Sequence, residues 1–194
     1  MKEIVLASTS RYRRELLGRL GVPFRAVAPK CDEEGLDHLP VEERAVALAE
    51  RKARSVAADQ ESALVLGSDQ IAEVEGTSLV KPGTAARARE TLRLLAGKEH
   101  RLVTGVVLLD SAPGGRMEKH LDIARIRMRP LTDEEIAAYV EREPAVDCVG
   151  AYRMESLGVA LFESIESRDP TGIVGLPLTA VVDLLARFGV SVLR

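Results

Sequence analysis

A chain of 194 residues supports one substantial core, and its 27 Lys+Arg against 30 Asp+Glu leave a formal net charge of −3. That balance, with 46% hydrophobic residues, argues against disorder and against a protein that coats nucleic acid. The longest apolar runs, such as residues 102–109, fall far short of the roughly 20 that cross a bilayer, so neither a membrane span nor a signal peptide is expected.

In chain order, Ile4-Val5-Leu6 predicts a first strand, closed by Ala7-Ser8-Thr9-Ser10. Leu16, Leu17 and Leu20 then recur at helical spacing, with Gly21 as a C-terminal stop. Residues 24–28 read as a second strand, and the acidic, Gly- and Pro-punctuated stretch 29–40 as a loop. Ala45, Leu48, Ala49, Ala53 and Val56 give the apolar stripe of a long helix, with Lys52 near one edge. Ala63-Leu64-Val65-Leu66 predicts a buried strand that runs into Gly67-Ser68-Asp69-Gln70 and continues extended to a turn at Glu75-Gly76. Thr84 caps a helix carrying Ala88, Leu92 and Leu95, ended by Gly97. Strands are expected at 102–109 and 121–128, around a Pro-Gly-Gly loop. Thr132 to Glu135 forms a capping box for a helix through Val140, residues 159–165 a further strand, and 178–188 a final helix. Strands and helices interleave without strict alternation, which predicts α/β with a mixed sheet. Aromatics make up 3% of the chain, so the core must be aliphatic.

Two groups of residues carry chemistry. Ser8, Thr9 and Ser10 lead directly into Arg11, Tyr12, Arg13 and Arg14, which places cations in the first turn of a helix. The helix N-terminus already carries about half a unit of positive charge, and each added cation costs a few tenths to about 1 kcal/mol. An anion would resolve the conflict, since backbone N–H groups, hydroxyls and guanidinium forks suit phosphate oxygens; arginines pointing into solvent are the plain alternative. The second group is Asp32-Glu33-Glu34, Lys52, Asp69 and Lys81. Asp69 ends an apolar strand where α/β folds place ligand sites, and an Asp that merely shapes a turn is the alternative. If Glu33 and Asp69 meet, they supply hard oxygens for Mg²⁺, and nearby lysines neutralise the rest of a polyphosphate. His38, His100 and His120 do not cluster, and Cys31 and Cys148 have no zinc or CxxC spacing, which argues against a zinc site. Cys148 reads as a small buried residue, and two cysteines in a chain of this size make the cytosol the expected compartment. No GxxxxGK[ST] or GxGxxG is present, against P-loop or Rossmann nucleotide binding.

Taken in order, Leu6-Ala7-Ser8-Thr9-Ser10 through Arg13-Arg14 and Leu16-Leu17, Asp32-Glu33, Leu48 to Ala53, Gly67-Ser68-Asp69-Gln70 and Lys81-Pro82 resemble the Maf family of nucleotide pyrophosphatases. The closing Asp169-Pro170 with Val174-Gly175-Leu176-Pro177-Leu178 extends the resemblance over nearly the whole chain. It implies a single Maf/ITPase-like α/β domain over residues 1–194, a twisted mixed β-sheet with flanking helices and two lobes around a central cleft. It further implies cytoplasmic, metal-dependent hydrolysis of a nucleoside triphosphate to the monophosphate and pyrophosphate, with Mg²⁺, Mn²⁺ or Co²⁺ as cofactor. A homodimer is implied, with no polymeric nucleic acid and no membrane as partner. Carried onto this chain, the resemblance assigns metal and catalysis to Glu33 and Asp69, charge stabilisation to Lys52 and Lys81, and phosphate binding to Ser8, Ser10 and Arg13.

Ser68-Asp69-Gln70 makes the chain most similar to the 7-methyl-GTP branch, with Tyr12, Gln70 and Glu155 at the positions linked to base choice. Chemistry agrees with that branch: methylation at N7 makes the purine a cation that an aromatic face attracts, and a carboxylate can accept from N1–H and the amino group of guanine. The same chemistry on dTTP or UTP is one alternative, and a nucleotide-sensing regulator of septum formation and cell division is another. Two positions depart from the family pattern, Arg11 in place of Pro and Val80 in place of Gly.

Overall fold

Period-two alternation in the strands sorts the aliphatic side chains to two opposite faces of one sheet. In the computed structural model, which describes residues 2–193, the first elements are β1 (Glu3–Ala7), α1 (Arg11–Gly18), β2 (Phe24–Val27), α2 (Val41–Ala57) and β3 (Ala63–Val74). They are followed by β4 (Thr77–Ser78), α3 (Ala85–Leu95), β5 (Glu99–Asp110), β6 (Met117–Met128) and α4 (Asp133–Arg142). A 3-10 helix (Leu157–Leu161), β7 (Phe162–Glu166), α5 (Pro170–Ile173) and α6 (Leu178–Arg187) complete the order. The sheet runs β2-β1-β3-β5-β6-β7, with β4 paired to β3. β1 is parallel to both β2 and β3, whereas β6 and β7 are antiparallel, so the sheet is mixed as expected.

The chain forms two compact units. The first comprises the residues up to Gln70, Thr104–Asp122 and the chain from Asp169 onward; the second comprises Ile71–Val103 and Ile123–Arg168. In the first unit Ile4, Leu6, Leu64, Leu66, Val106 and Leu108 pack with Leu16 and Leu17 of α1 and Val181, Leu184 and Leu185 of α6. The alternate residues Val5, Ala7, Ala63, Val65 and Val107 pack with Ala49, Ala53 and Val56 of α2. Burying both faces in this way is what parallel strands require, and it explains why these strands read as continuous apolar runs. Two glycines set how close α2 comes: a Cβ at Gly67 would lie 2.2 Å from the Ala49 carbonyl oxygen, and one at Gly105 would lie 2.3 Å from that of Ala45.

In the second unit α3 packs on α4, and Thr132 and Glu135 make the expected capping box. Thr84 caps α3 through Arg87 N–H, also as expected. His100, Tyr152 and Phe162 form a chain of edge-to-face ring contacts. Two expectations need correction. Residues 159–165 are not one strand: the 3-10 helix precedes β7, because Gly158 packs so tightly on Arg153 that a Cβ would lie 2.3 Å from its carbonyl oxygen. Cys148 is half-buried rather than buried, in a turn whose polar neighbours keep it near water. The stretch before Val174, for which no element is expected from the sequence, holds α5, started by an Asp169 cap and Pro170. Among the described residues no helix is long and apolar enough to cross a membrane.

Candidate active site

The site begins where parallel strands end. β1 pairs with β3 so that Leu6 faces Leu66 and Ala7 faces Gly67, which brings Ser8 and the Gly67-Ser68-Asp69-Gln70 segment to the same edge of the first unit. Because side chains alternate along β3, this segment is divided between the two faces of the sheet. Gly67 and Asp69 face α2, and Ser68 and Gln70 face the loop that carries α5.

On the α2 face, Lys52 Nζ donates to Asp69 Oδ1 at 2.5 Å and lies 3.0 Å from Glu33 Oε1. Lys52 and Asp69 are each 8% exposed, and Glu33 reaches the same ammonium from the exposed loop before α2. An ammonium withdrawn from water needs such partners, since a buried charge left alone costs several kcal/mol. The sequence placed Lys52 at the margin of an alanine stripe; the absence of a Cβ at Gly67 is what lets that stripe lie against β3 and bring Lys52 to Asp69. Glu33 is held indirectly. Arg51 Nη1 donates to the carbonyls of Asp32 at 3.1 Å and Glu34 at 2.8 Å, and Asp32 Oδ1 accepts from Glu34 N–H at 2.8 Å.

On the opposite face, Arg13 Nε donates to the Gly175 carbonyl at 2.9 Å, and Ser68 Oγ donates to the same oxygen at 3.0 Å. Gln70 Nε2 donates to Thr104 Oγ1 at 3.0 Å and to the Gly172 carbonyl at 2.8 Å. Its amide hydrogens are thereby engaged, and its acceptor Oε1 lies 3.9 Å from where a Gly175 Cβ would stand. Burial works against the charged Arg13 guanidinium, and the carboxylates of Asp69 and Glu33 work for it. Arginine still remains protonated at any physiological pH. Ser8 Oγ accepts from Ser10 N–H at 3.1 Å, and Ser10 Oγ caps α1 by accepting from Arg13 N–H at 3.4 Å. Each hydroxyl thus spends a lone pair on the backbone and keeps its hydrogen for another acceptor. Arg11 and Tyr12 open α1 together, the Arg11 Cζ standing 4.7 Å from the centroid of the tyrosine ring.

Asp169-Pro170 and residues 174–178 stand out in the sequence as a motif, but no role is assigned there to the loop that supports this face. Asp169 is 3% exposed and accepts from the N–H and hydroxyl of both Thr171 and Thr179, at 2.6–2.9 Å. Burial alone would raise its carboxyl, and these four bonds outweigh it, so the group is held below its ordinary range. Their effect is to fix the backbone from Asp169 to Thr179 and aim the Gly172 and Gly175 carbonyls at Gln70, Ser68 and Arg13. Gly175 has φ of +108°, which no side-chain-bearing residue adopts comfortably. The legible signal was Asp-Pro followed by Thr, Gly and Gly, a capped turn.

Lys81 and Glu155 belong to the second unit and are exposed there. Lys81 has no hydrogen-bond or ion-pair partner among the described residues and precedes buried Pro82 and Gly83, whose N–H donates to the Val146 carbonyl at 2.9 Å. Glu155 sits in the turn after Tyr152 and Arg153. That turn is pinned by Tyr152 Oη on His100 Nε2 at 2.7 Å and by Arg153 N–H on Tyr139 Oη at 3.2 Å. Buried immediately before these anchors, Ala151 holds φ of +60°, a strained value for a residue with a Cβ.

Asp69 does not end a strand as expected, because β3 continues to Val74; it lies just past the last parallel pair, Ala7 with Gly67. Cations and carboxylates gathered there define the class to which this site belongs, an α/β protein whose chemistry suits a phosphorylated ligand. The profile of the family described as Maf-like protein matches residues 3–188, and the chain belongs to that family. It is 44% identical over 191 residues to a 7-methyl-GTP pyrophosphatase of Xanthomonas campestris pv. campestris (strain 8004), covering 98% of both chains. A protein of the same name from Thiobacillus denitrificans is 43% identical over 190 residues, covering 98% of this chain and 94% of its own. One from Chromobacterium violaceum is 41% identical over 192 residues, covering 98% and 99%.

Proposed function

We propose that this chain hydrolyses the α–β phosphoanhydride of 7-methyl-GTP, releasing 7-methyl-GMP and pyrophosphate. The observation that carries the reading is the convergence of Glu33 and Asp69 on one cation, Lys52 Nζ, at 3.0 and 2.5 Å. Two carboxylates that already share a positive charge form a hard-oxygen donor pair suited to Mg²⁺, and to Mn²⁺ or Co²⁺ by the same argument. Among the described residues no group of three or more His, Cys, Asp or Glu could hold a metal. Two carboxylates do not complete the shell of such an ion, so Glu33 and Asp69 would hold it together with substrate phosphate oxygens, and when bound it supplies charge neutralisation at the α-phosphate.

The chain's own groups account for the remaining requirements. Water attacks the α-phosphorus, its oxygen forms the new P–O bond, and the bond to the bridging oxygen breaks to release pyrophosphate. Asp69 orients that water and is the group proposed to take its proton, because its carboxylate is buried at the site and fixed in place by Lys52 Nζ at 2.5 Å. As phosphate charge arrives, Lys52 can exchange a carboxylate for a phosphate oxygen, and Arg13 and Lys81 add fixed positive charge for the transition state. Ser8 and Ser10 offer hydroxyl hydrogens, and the N-terminus of α1 offers its backbone N–H groups and dipole. In this reading Tyr12 takes the cationic methylated ring, Glu155 accepts from N1–H and the amino group, and Gln70 presents Oε1.

The test is pyrophosphate release from 7-methyl-GTP, GTP, UTP and dTTP with Mg²⁺ or Mn²⁺, in the wild type and in Asp69→Asn. The expected result is the highest kcat/KM on 7-methyl-GTP and a loss of at least about a thousandfold in the variant. A wild type that prefers UTP or dTTP would overturn the base assignment. Nucleotide binding without turnover would overturn the enzyme reading.

A further inference from the structure

Arg11 and Tyr12 are consecutive on α1, and consecutive helical residues do not ordinarily face each other. Here they meet twice. The Arg11 guanidinium carbon stands 4.7 Å from the Tyr12 ring centroid, and an Arg11 Nη donates to the Tyr12 hydroxyl at 2.8 Å. Arg11 is exposed, so burial does not force the contact; attraction between a guanidinium and a π face accounts for it. The aromatic ring at the head of the candidate site therefore already serves one positive charge.

A ring that carries one cation is a poorer platform for a second. Like charges repel across the ring, and the hydrogen bond to the hydroxyl draws electron density out of the π system. Both effects penalise a base that is itself cationic, as 7-methylguanine is. Neutral guanine has no net charge for the guanidinium to repel. If the guanidinium swings aside, both bases displace it at the same cost, and the repulsion that a nearby cation still exerts on the methylated base alone is what separates them.

We infer that Arg11 is a specificity-determining residue that narrows the preference for 7-methyl-GTP over GTP by occupying Tyr12. This rests on the base-reading role proposed above for Tyr12. Its range of action is wider than one substrate, because the same penalty applies to any nucleotide with a cationic base and spares neutral ones.

The experiment is the ratio of kcat/KM for 7-methyl-GTP to that for GTP in the wild type, Arg11→Gln, Arg11→Lys, Tyr12→Leu and the Arg11→Gln/Tyr12→Leu double variant. Removing the charge should raise the ratio by about two- to fivefold, the range that an exposed cation–π contact supplies. Arg11→Lys, which keeps a cation at the ring, should stay near the wild-type ratio. In the Tyr12→Leu background the gain from Arg11→Gln should vanish, because there is no ring left to contest. An unchanged or lower ratio in Arg11→Gln overturns the inference, and so does an equal gain without the tyrosine. Turnover of both nucleotides with an unmoved ratio overturns the role of Arg11 alone. A wild type that releases pyrophosphate from neither nucleotide overturns the proposed function, and the role of Arg11 with it.

Discussion

His100 gives the most quantitative expectation outside the catalytic residues. It is 1% exposed on β5, its Nε2 is 2.7 Å from Tyr152 Oη, and its Nδ1 has no hydrogen-bond partner among the described residues. Burial pulls its pKa from 6.5 down to about 4, because a charged imidazole there would lose its hydration without gaining a carboxylate. In the unfolded chain the ring returns to its ordinary value, so between pH 6.5 and about 4 the unfolded state holds a proton that the folded state does not. Stability from this group is thus complete above pH 6.5 and declines as the pH falls toward about 4. At about 1.4 kcal/mol for each pH unit, the total is about 3 kcal/mol. The perturbation is His100→Gln, which retains a polar partner for Tyr152 but does not titrate. Urea unfolding from about pH 7.5 to about pH 4.5 can be followed by tyrosine fluorescence. The chain has no Trp and three Tyr, of which Tyr139 and Tyr152 lie in the second unit. Carboxylates also begin to protonate at the acid end, but they do so equally in both proteins. The difference between wild type and variant should therefore shrink or reverse by most of that amount as the pH falls. Parallel loss of stability in the two proteins across this window would refute the reasoning.

Gly67→Ala should cost about 1–3 kcal/mol by overpacking and should also reduce pyrophosphate release, because the new Cβ, 2.2 Å from the Ala49 carbonyl oxygen, forces α2 and Lys52 away from Asp69. Unchanged melting and unchanged activity would show that α2 tolerates the shift. Lys81→Ala should leave Tm within about 2 °C of wild type, since the side chain is exposed and unpartnered among the described residues, while kcat/KM for triphosphate falls at least about tenfold. The reverse pattern, a lower Tm with intact kinetics, would make Lys81 part of the scaffold. Glu155→Gln should move the ratio of kcat/KM between 7-methyl-GTP and UTP by about ten- to a hundredfold toward UTP, measured side by side. Ratios that do not move would remove Glu155 from base selection.

Local pattern was sufficient for most elements of this protein. Short continuous apolar runs announced the buried strands, and Thr84 and Thr132 announced the starts of α3 and α4, because capping depends on residues only three apart. The same local logic singled out Asp69 as the end of an apolar strand, but β3 runs on to Val74 and Asp69 lies inside it. What it could not supply was which groups meet. Lys52 and Asp69 lie 17 residues apart, and their contact depends on Gly67 and Gly105 removing the side chains that would hold α2 off the sheet. Nor could local pattern divide Gly67-Ser68-Asp69-Gln70 between its two faces with named partners. Asp69 turns to Lys52, whereas Ser68 and Gln70 turn to carbonyls more than 100 residues later, in a loop held by Asp169, Thr171 and Thr179. The tyrosine expected to await a cationic base proved to have its neighbour Arg11 above it. Sequence determined which residues could carry charge, aromatic surface or a cap, because those are properties of single side chains and of short-range geometry. Only the tertiary structure decided their partners, because a pairing energy falls steeply with distance, and distance between remote residues is set by packing rather than by spacing along the chain.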